Sequence, residues 1–493
     1  MLRCQSEKTW AAWRTGGTWD FIRRRARPFA FLSRTPILNE LLSRGTCVLG
    51  LVVFVALAWL VSTDRRRFPW RIVLGGLGLQ FVLAFLVMRT SPGRWLFSKI
   101  GDGFTAVMGN VDVGSGFLFR GGDSLGNGLI ATFAFGVLPT VIFFSSLMSV
   151  LYYLGVMQKL VAGMAWVMRF TLGTSGPETL AAAANVFVGH TEAPLVVRPY
   201  LNTMSRSELC AMMTGGFATV TGGLLGAYAG MGIDIGHLLT ASVISAPAAL
   251  LIAKVMVPEV ETTTSSDLAS DKTAGDFTGD VSPETGDQWE ETRKVKAISE
   301  DLPAPEVVIP GEPANVIGAA VEGASEGMKL ALNVAAMLIA FLALIALIDT
   351  LLGAVCQTVG WIDAGGDPAI SLGLILGYVG WPLAWLLGIP TDECMVAGRL
   401  IGMKTVANEF VAFQQLGEIM KSSSPPLSER TASVLTYALA GFSNFAAIGI
   451  QVGGVGGLAP QRKAELAQLG MRAMFGGLLA CCMTGAVAGL LLR

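Results

Sequence analysis

Asn185-Val186-Phe187-Val188-Gly189-His190-Thr191-Glu192-Ala193-Pro194-Leu195 decides how this chain is read. It lies in an apolar stretch, 174–201, that also carries Glu178. A charge at the bilayer centre costs ~2.5–3.5 kcal/mol on insertion scales, so a lipid-facing helix does not carry such a load. A hairpin that enters the membrane and turns back, buried in protein, does. Gly189 and Pro194 bracket four residues able to turn its tip. A tip at mid-membrane exposes backbone N–H and C=O groups, and helix ends add partial charge. His190, Thr191 and Glu192 then offer donors and acceptors to a polar solute. In the competing reading Glu192 pairs with Arg198 and only ties the hairpin down.

The chain around this stretch has 493 residues, 52% hydrophobic and only 14% charged, against roughly 25% charged in a soluble domain. That balance excludes a disordered protein, a disulfide scaffold and an ordinary cytosolic globule, and indicates an all-α polytopic membrane protein. The net charge of −1 is unevenly spread and says little about partners. No basic stripe suggests nucleic acid. The seven cysteines form no C-x-x-C pair, and most sit in apolar runs as small hydrophobes.

Working outward, residues 45–63 and 72–88 read as two spans joined by an Arg-rich loop, Asp64-Arg65-Arg66-Arg67. Short Arg-rich loops stay in the cytoplasm, which puts the N-terminus outside. The basic tail 1–44, read as poorly ordered or amphipathic, argues the opposite. Residues 95–120 suit an interfacial helix, and 128–158 a long span kinked at Pro139. The stretch 391–416, with Asp392, Glu393, Arg399, Lys404 and Glu409, reads as a second re-entrant hairpin. Further span-like runs lie at 209–232, 236–253, 330–348, 431–457 and 473–492. Between Pro258 and Glu312 there are fourteen Asp/Glu against four Lys/Arg, too polar to bury a core. The units are therefore a tail (1–44), two spans with the interfacial helix (45–127), a first core half (128–257), an acidic disordered loop (258–313) and a second core half (314–493).

The halves resemble each other weakly. Leu172-Gly173, Glu178 and Val188-Gly189 have counterparts in Leu387-Gly388, Asp392-Glu393 and Ile401-Gly402. Gly216-Phe217-Ala218-Thr219-Val220 matches Gly441-Phe442-Ser443-Asn444-Phe445. Repeats with paired broken segments, usually inverted, mark the binding site of a secondary transporter. Asn408-Glu409-Phe410 is the second tip, unless it is a solvated loop. Asn444 needs a partner for a buried amide, which a neighbouring helix can equally supply. Asn185 and Thr219 offer neutral oxygens; with carbonyls of an unwound stretch they can wrap a small hard cation, or serve only as caps. His190 has the chemistry to titrate near neutral pH, but a lone histidine is more often a plain donor. Glu178 and Asp392 read as first-turn carboxylates of helices.

Five separated motifs resemble the concentrative nucleoside transporter family from about Gly45 to the C-terminus, apart from the acidic loop. They are the opening stretch with Arg198-Pro199-Tyr200-Leu201; Met213-Thr214-Gly215-Gly216-Phe217-Ala218-Thr219; Gly226-Ala227-Tyr228; Lys404 to Phe413; and Gly441-Phe442-Ser443-Asn444-Phe445. The resemblance implies a homotrimer of eight spans, three interfacial helices and two re-entrant hairpins per protomer, in the lipid bilayer of a cell membrane, a bacterial inner membrane being expected. It implies nucleoside and Na+ as partners, no organic cofactor and no catalytic residue. Gly189, His190, Thr191 and Glu192 would face the nucleobase. Glu409 and Asn444 would face the ribose hydroxyls, with Phe442 lining the pocket. Sodium would be held by Asn185 and Thr219 with the carbonyls of Val188 and Val220.

The chain departs from the family twice. His190 stands where Gln is usual, and Ala447 where a Ser near the ribose is usual. Losing a paired hydrogen bond to a buried polar group costs ~1–3 kcal/mol, so the substrate range is open to deoxynucleosides or a related polar solute. The energy source is a cation entering an inside-negative cell, worth ~2.3 kcal/mol per charge per 100 mV. No Walker motif points to ATP. The expected function is thus a sodium-driven nucleoside symporter working by elevator-like or alternating access, with a proton-coupled symporter as the alternative. An intramembrane hydrolase using Glu192 and His190 lacks a serine-nucleophile motif and an H-E-x-x-H site. A scaffold or receptor regulated by the acidic loop is the third reading.

Overall fold

The computed structural model describes residues 36–119, 135, 138–190, 192–259, 315–362 and 368–492. The tail to residue 35, most of the acidic loop and Thr191 lie outside the described residues. The described residues are helical throughout, apart from turns and one isolated bridge between Ile362 and Pro368.

Helices α1 (Pro36–Leu60) and α2 (Trp70–Arg89) are the first two expected spans. The first begins inside the stretch assigned to the tail. Helix α3 (Ser91–Phe119) covers the expected interfacial segment. The long span expected at 128–158 is instead a bent pair, α4 (Leu138–Tyr153) and α5 (Val156–Leu172), which meet at 77°. The bend falls at Gly155, whose φ of +74° suits only glycine well. Pro139 sits in the first turn of α4, where a missing N–H costs nothing and no kink results.

One order of elements then occurs twice. The first set is the hairpin α6 (Gly176–Asn185) and α7 (Ala193–Val196), the broken helix α8 (Arg206–Ala218) and α9 (Gly222–Gly230), and the unbroken α10 (Ile235–Met256). After α11 (Val316–Val359) and α12 (Leu372–Leu386) comes the second. It has the hairpin α13 (Cys394–Val406) and α14 (Glu409–Met420), the broken helix α15 (Glu429–Leu439) and α16 (Phe445–Leu458), and the unbroken α17 (Lys463–Leu491). The longest hairpin arm, α13, has 13 residues, so it reaches ~20 Å against a hydrocarbon core of ~30 Å. None of the arms can cross, so both hairpins are re-entrant.

Six described helices are long and apolar enough to span, or seven if the α4–α5 pair counts as one. Helix α12, with 15 residues, is shorter than that. Helix α11 is far longer than its 330–348 apolar run: its 44 residues extend ~66 Å. It packs along α4 through Gly323 and Gly327, which lie against Ser145, Ser146, Ser149 and Ile142, a small-residue contact of the kind that joins helices in lipid. The Ser146 hydroxyl donates to the Ala320 carbonyl at 2.8 Å across that seam. The two hairpins, α8, α10 and α17 form the interior, whereas α1, α2 and α11 expose apolar side chains such as Val52, Leu74 and Ile339.

The first hairpin is anchored at its base. Ser175 and Glu178 form the capping box of α6, so Glu178 is the first-turn carboxylate the sequence suggests. It also meets Lys254 of α10 at 2.7 Å, and Lys254 reaches Glu259 at 2.7 Å. At the second hairpin the helix starts later than Asp392 suggests. Glu393 precedes Cys394 and binds the Ser428 amide and hydroxyl at 3.2 and 3.1 Å.

Candidate functional site

The tip of the first hairpin is built on the break in α8–α9. The amides of Phe187 and Val188 close the last turn of α6 on Ala184, and the Gly222 amide donates to the Phe187 carbonyl at 3.0 Å. Gly189 turns the chain with φ +100°, and a Cβ there would run into Thr221. His190 is buried, and neither ring nitrogen has a hydrogen-bond partner among the described residues. Its ring lies against Phe442 of the second break, with centroids 4.6 Å apart. Its backbone packs on Gly216 of α8, and so does the Gln451 amide of α16.

The second tip is held across the halves. Asn408 caps α14, its Oδ1 accepting from the Val411 amide at 2.9 Å, which sets Glu409 in the first helical turn. The Glu409 carboxylate is buried, and both oxygens are engaged. Tyr228 Oη of α9 donates to Oε1 at 3.1 Å, and Asn444 Nδ2 donates to Oε2 at 3.2 Å. Asn444 also caps α16, its Oδ1 accepting from the Ala447 amide at 2.9 Å. So Glu409, Asn444 and, in line along α16, Ala447 fall together, with Phe442 bridging to His190. The solvated-loop reading of Asn408-Glu409 is overturned by this burial.

Two of the proposed cation ligands, Asn185 and Thr219, flank Gly215 of α8. Asn185 ends α6; its Nδ2 donates to the Met212 carbonyl at 3.3 Å, and its Oδ1 is a buried oxygen with no described partner. Gly215, one turn before Thr219 on α8, lies beside that amide. Thr219 and Val220 form the extended break, Thr219 Oγ1 donating to the Gly215 carbonyl at 3.0 Å. A free carboxamide oxygen beside an unwound helix end is a fitting donor for an alkali ion.

Glu192 belongs to the first tip, its amide donating to the Gly189 carbonyl at 3.3 Å. It is exposed at the start of α7, and no ion pair with the exposed Arg198 forms. The tie between them is therefore absent. Thr191 lies outside the described residues. A cavity of about 600 Å³ lies elsewhere, among Arg89, Arg94, Asp234 and His237, and none of the tip residues lines it.

Two residues of the site escape a sequence reading. Tyr228 lies 181 residues from its partner Glu409, in a Gly-rich run. Gln451, buried, donates to the Met213 carbonyl at 3.1 Å and keeps Oε1 without a described partner. It follows Asn444 and Ala447 at helical spacing on α16, which is the one signal that marks it.

Two hairpins meeting at two broken helices, with orphaned polar atoms inside a membrane, define a polytopic carrier. Models of the Na+ dependent nucleoside transporter C-terminus and N-terminus match residues 237–489 and 49–122, and a nucleoside recognition Gate model matches 134–234. The chain is 41% identical over 448 residues to an uncharacterized transporter of Haemophilus influenzae, covering 90% of this chain and 96% of that one. It is 39% identical over 455 residues to sodium/nucleoside cotransporter 1 of Mus musculus and, over 454, to solute carrier family 28 member 3 of Eptatretus stoutii. It spans 63% and 60% of those two proteins. The structure of CNTnw in an inward-facing substrate-bound state aligns with a TM-score of 0.75 at 37% identity, over 93% of this chain and all of that one. An outward-facing CNTnw variant aligns at 0.76, with 37% identity over 93% and 98%. The chain belongs to the Na+ dependent nucleoside transporter family, a family of membrane transporters rather than enzymes.

Proposed function

We propose that the chain is a secondary active symporter that imports nucleosides, driven by a sodium gradient, by alternating access around the mid-membrane site. The observation that carries this reading is the Glu409 carboxylate, buried between Tyr228 of the first half and Asn444 of the second. A ribose presents hydroxyl donors, and an ionised carboxylate is their strongest neutral-pH acceptor. Entry of the sugar replaces the Tyr228 or Asn444 contact with a ribose hydroxyl, so the site is satisfied with or without substrate. His190, Gly189 and Phe442 lie at the other end and supply an apolar face, with one ring donor and one ring acceptor of His190 for the base. Thr191 and Glu192 are assigned to the same end.

Sodium is placed at Asn185 and Thr219 with the carbonyls of Val188 and Val220. Ordering that junction shapes the first tip, which couples ion binding to nucleoside binding. Relatives captured inward- and outward-facing support a core that switches between two faces. The trimer expected of this family belongs to the same reading. The exposed apolar flank of α11 (Ile317, Val321, Leu332) gives a surface for lipid or neighbouring copies.

Uptake of radiolabelled uridine into proteoliposomes, under sodium, proton and no gradients, tests this. Accumulation with sodium alone is expected. Accumulation driven only by protons would move the coupling to H+. Failure of a panel of nucleosides, with uptake of another polar solute, would move the substrate.

A further inference from the structure

The two broken helices end against each other. Helix α8 stops at Ala218 and α15 at Leu439, and the Cys481 thiol of α17 reaches the carbonyls of Ala218 and Ala440 at 3.6 and 3.3 Å. Gly441 is so close to this junction that a Cβ there would lie 2.8 Å from the Phe217 carbonyl oxygen. Each helix C-terminus carries roughly half a negative charge, so two partial negative charges converge in a medium that screens them poorly.

A cation beside each is favoured. At the first, the proposed sodium site supplies one, with Asn185 at the end of hairpin arm α6 directed onto α8. At the second, the matching arm α13 carries Lys404 in its last turn. Lys404 is fully buried, and its Nζ donates to the Ala438 carbonyl, in the last turn of α15, at 2.9 Å. No carboxylate of the described residues lies within ion-pair distance of it. The other buried lysine, Lys254, holds two carboxylates. A buried ammonium without a carboxylate is costly unless something else balances it. Here the balance is the end of α15, with the Glu409 carboxylate further along the same hairpin.

We propose that Lys404 is a built-in cation: its ammonium fills, in the second half of the repeat, the place that the coupling sodium takes in the first. The second half then needs no ion, and one sodium accompanies each nucleoside. This rests on the sodium-symport reading and adds the stoichiometry to it. Lys404 is a positioning residue, acting on the α15 break and, through it, on Asn444.

The test is radioactive sodium bound per protomer in detergent-purified protein, without nucleoside, for wild type, Lys404→Asn and Lys404→Met. Size-exclusion profiles and melting curves check that each variant folds. Wild type should bind one sodium. Lys404→Asn, which puts a neutral oxygen donor where the ammonium was, should bind a second, and the Hill coefficient for sodium in uptake should rise from about one toward two. Lys404→Met should keep one sodium and lose about tenfold or more of its uptake, because the helix end is left without any cation. A merely structural lysine lowers uptake without adding a sodium. Two sodium ions on the wild type, or one on a folded Lys404→Asn whether active or not, overturns the proposal. Should Lys404→Asn not fold, the wild-type count still decides. A wild type whose uptake ignores sodium altogether would defeat the symport reading instead.

Discussion

At the scale of single residues, the site is a set of polar atoms whose partners sit far away in the chain. Glu409 is the centre, with one oxygen on Tyr228 and the other on Asn444. Glu409→Gln keeps the shape but removes the charge and turns one acceptor into a donor facing Tyr228 or Asn444. Charge-assisted hydrogen bonds are worth ~1.5–3 kcal/mol, so uridine uptake should fall by roughly 10- to 100-fold or more while the melting temperature changes little. Normal uptake by this variant contradicts the ribose role. Asn185→Ala removes a buried oxygen that has no other described partner. The apparent sodium affinity should drop about tenfold, with the nucleoside KM nearly unchanged at saturating sodium; an unaltered sodium response means that the ion sits elsewhere.

At the scale of elements, the first hairpin depends on one turn and one anchor. Gly189 holds φ +100° with Thr221 pressed against it, so Gly189→Ala meets both backbone strain and a clash. It should cut uptake severely, and Thr221→Ser, which removes the methyl group, should recover part of the loss in the double variant. At the base, Glu178 and Lys254 are buried together, 2.7 Å apart. Removing one partner leaves a buried charge, so Lys254→Met should destabilise by ~3–5 kcal/mol, read as a lower melting temperature, and Glu178→Gln in the same chain should restore most of it. The hairpins themselves were legible, because carboxylates in an apolar stretch can only be tolerated in protein. So was the repeat, through Gly216–Val220 and Gly441–Phe445. The sequence suggests a kink at Pro139, whereas the bend falls at Gly155, because a proline in a first helical turn breaks nothing. The reach of α11 was hidden because exposed Glu322, Glu326 and Lys329 interrupt hydropathy without interrupting the helix. Nothing in the sequence marks the roles of Tyr228 and Lys404, because each acts on an atom that only the tertiary fold brings near.

At the scale of the whole molecule, one route to alternating access is the movement of one rigid body against another, and the packing falls into two groups. Helices α1 and α2 pack on α10 and α17 and join the interior with the hairpins, while α4 and α11 pair along their glycine–serine seam. The two groups meet where α9 begins. A Cβ on Gly223 would lie 3.1 Å from Ser145 Oγ of α4, and Gly222 faces Met148. Small residues of α9 meet Ser145, Met148 and Leu330 at this boundary. If the core moves there, a covalent bond across it must stop transport. A Ser145→Cys, Gly223→Cys pair stands close enough to form a disulfide after modest side-chain adjustment. The chain's described cysteines are all buried, so the engineered pair should react first. Oxidation should abolish uridine uptake while sodium binding to the Asn185 junction persists, and a reducing agent should restore it. Each single cysteine should transport normally under oxidant. Full uptake by the crosslinked protein, with crosslinking verified by mass spectrometry, would mean that this boundary does not move and that access changes by the hairpin tips alone.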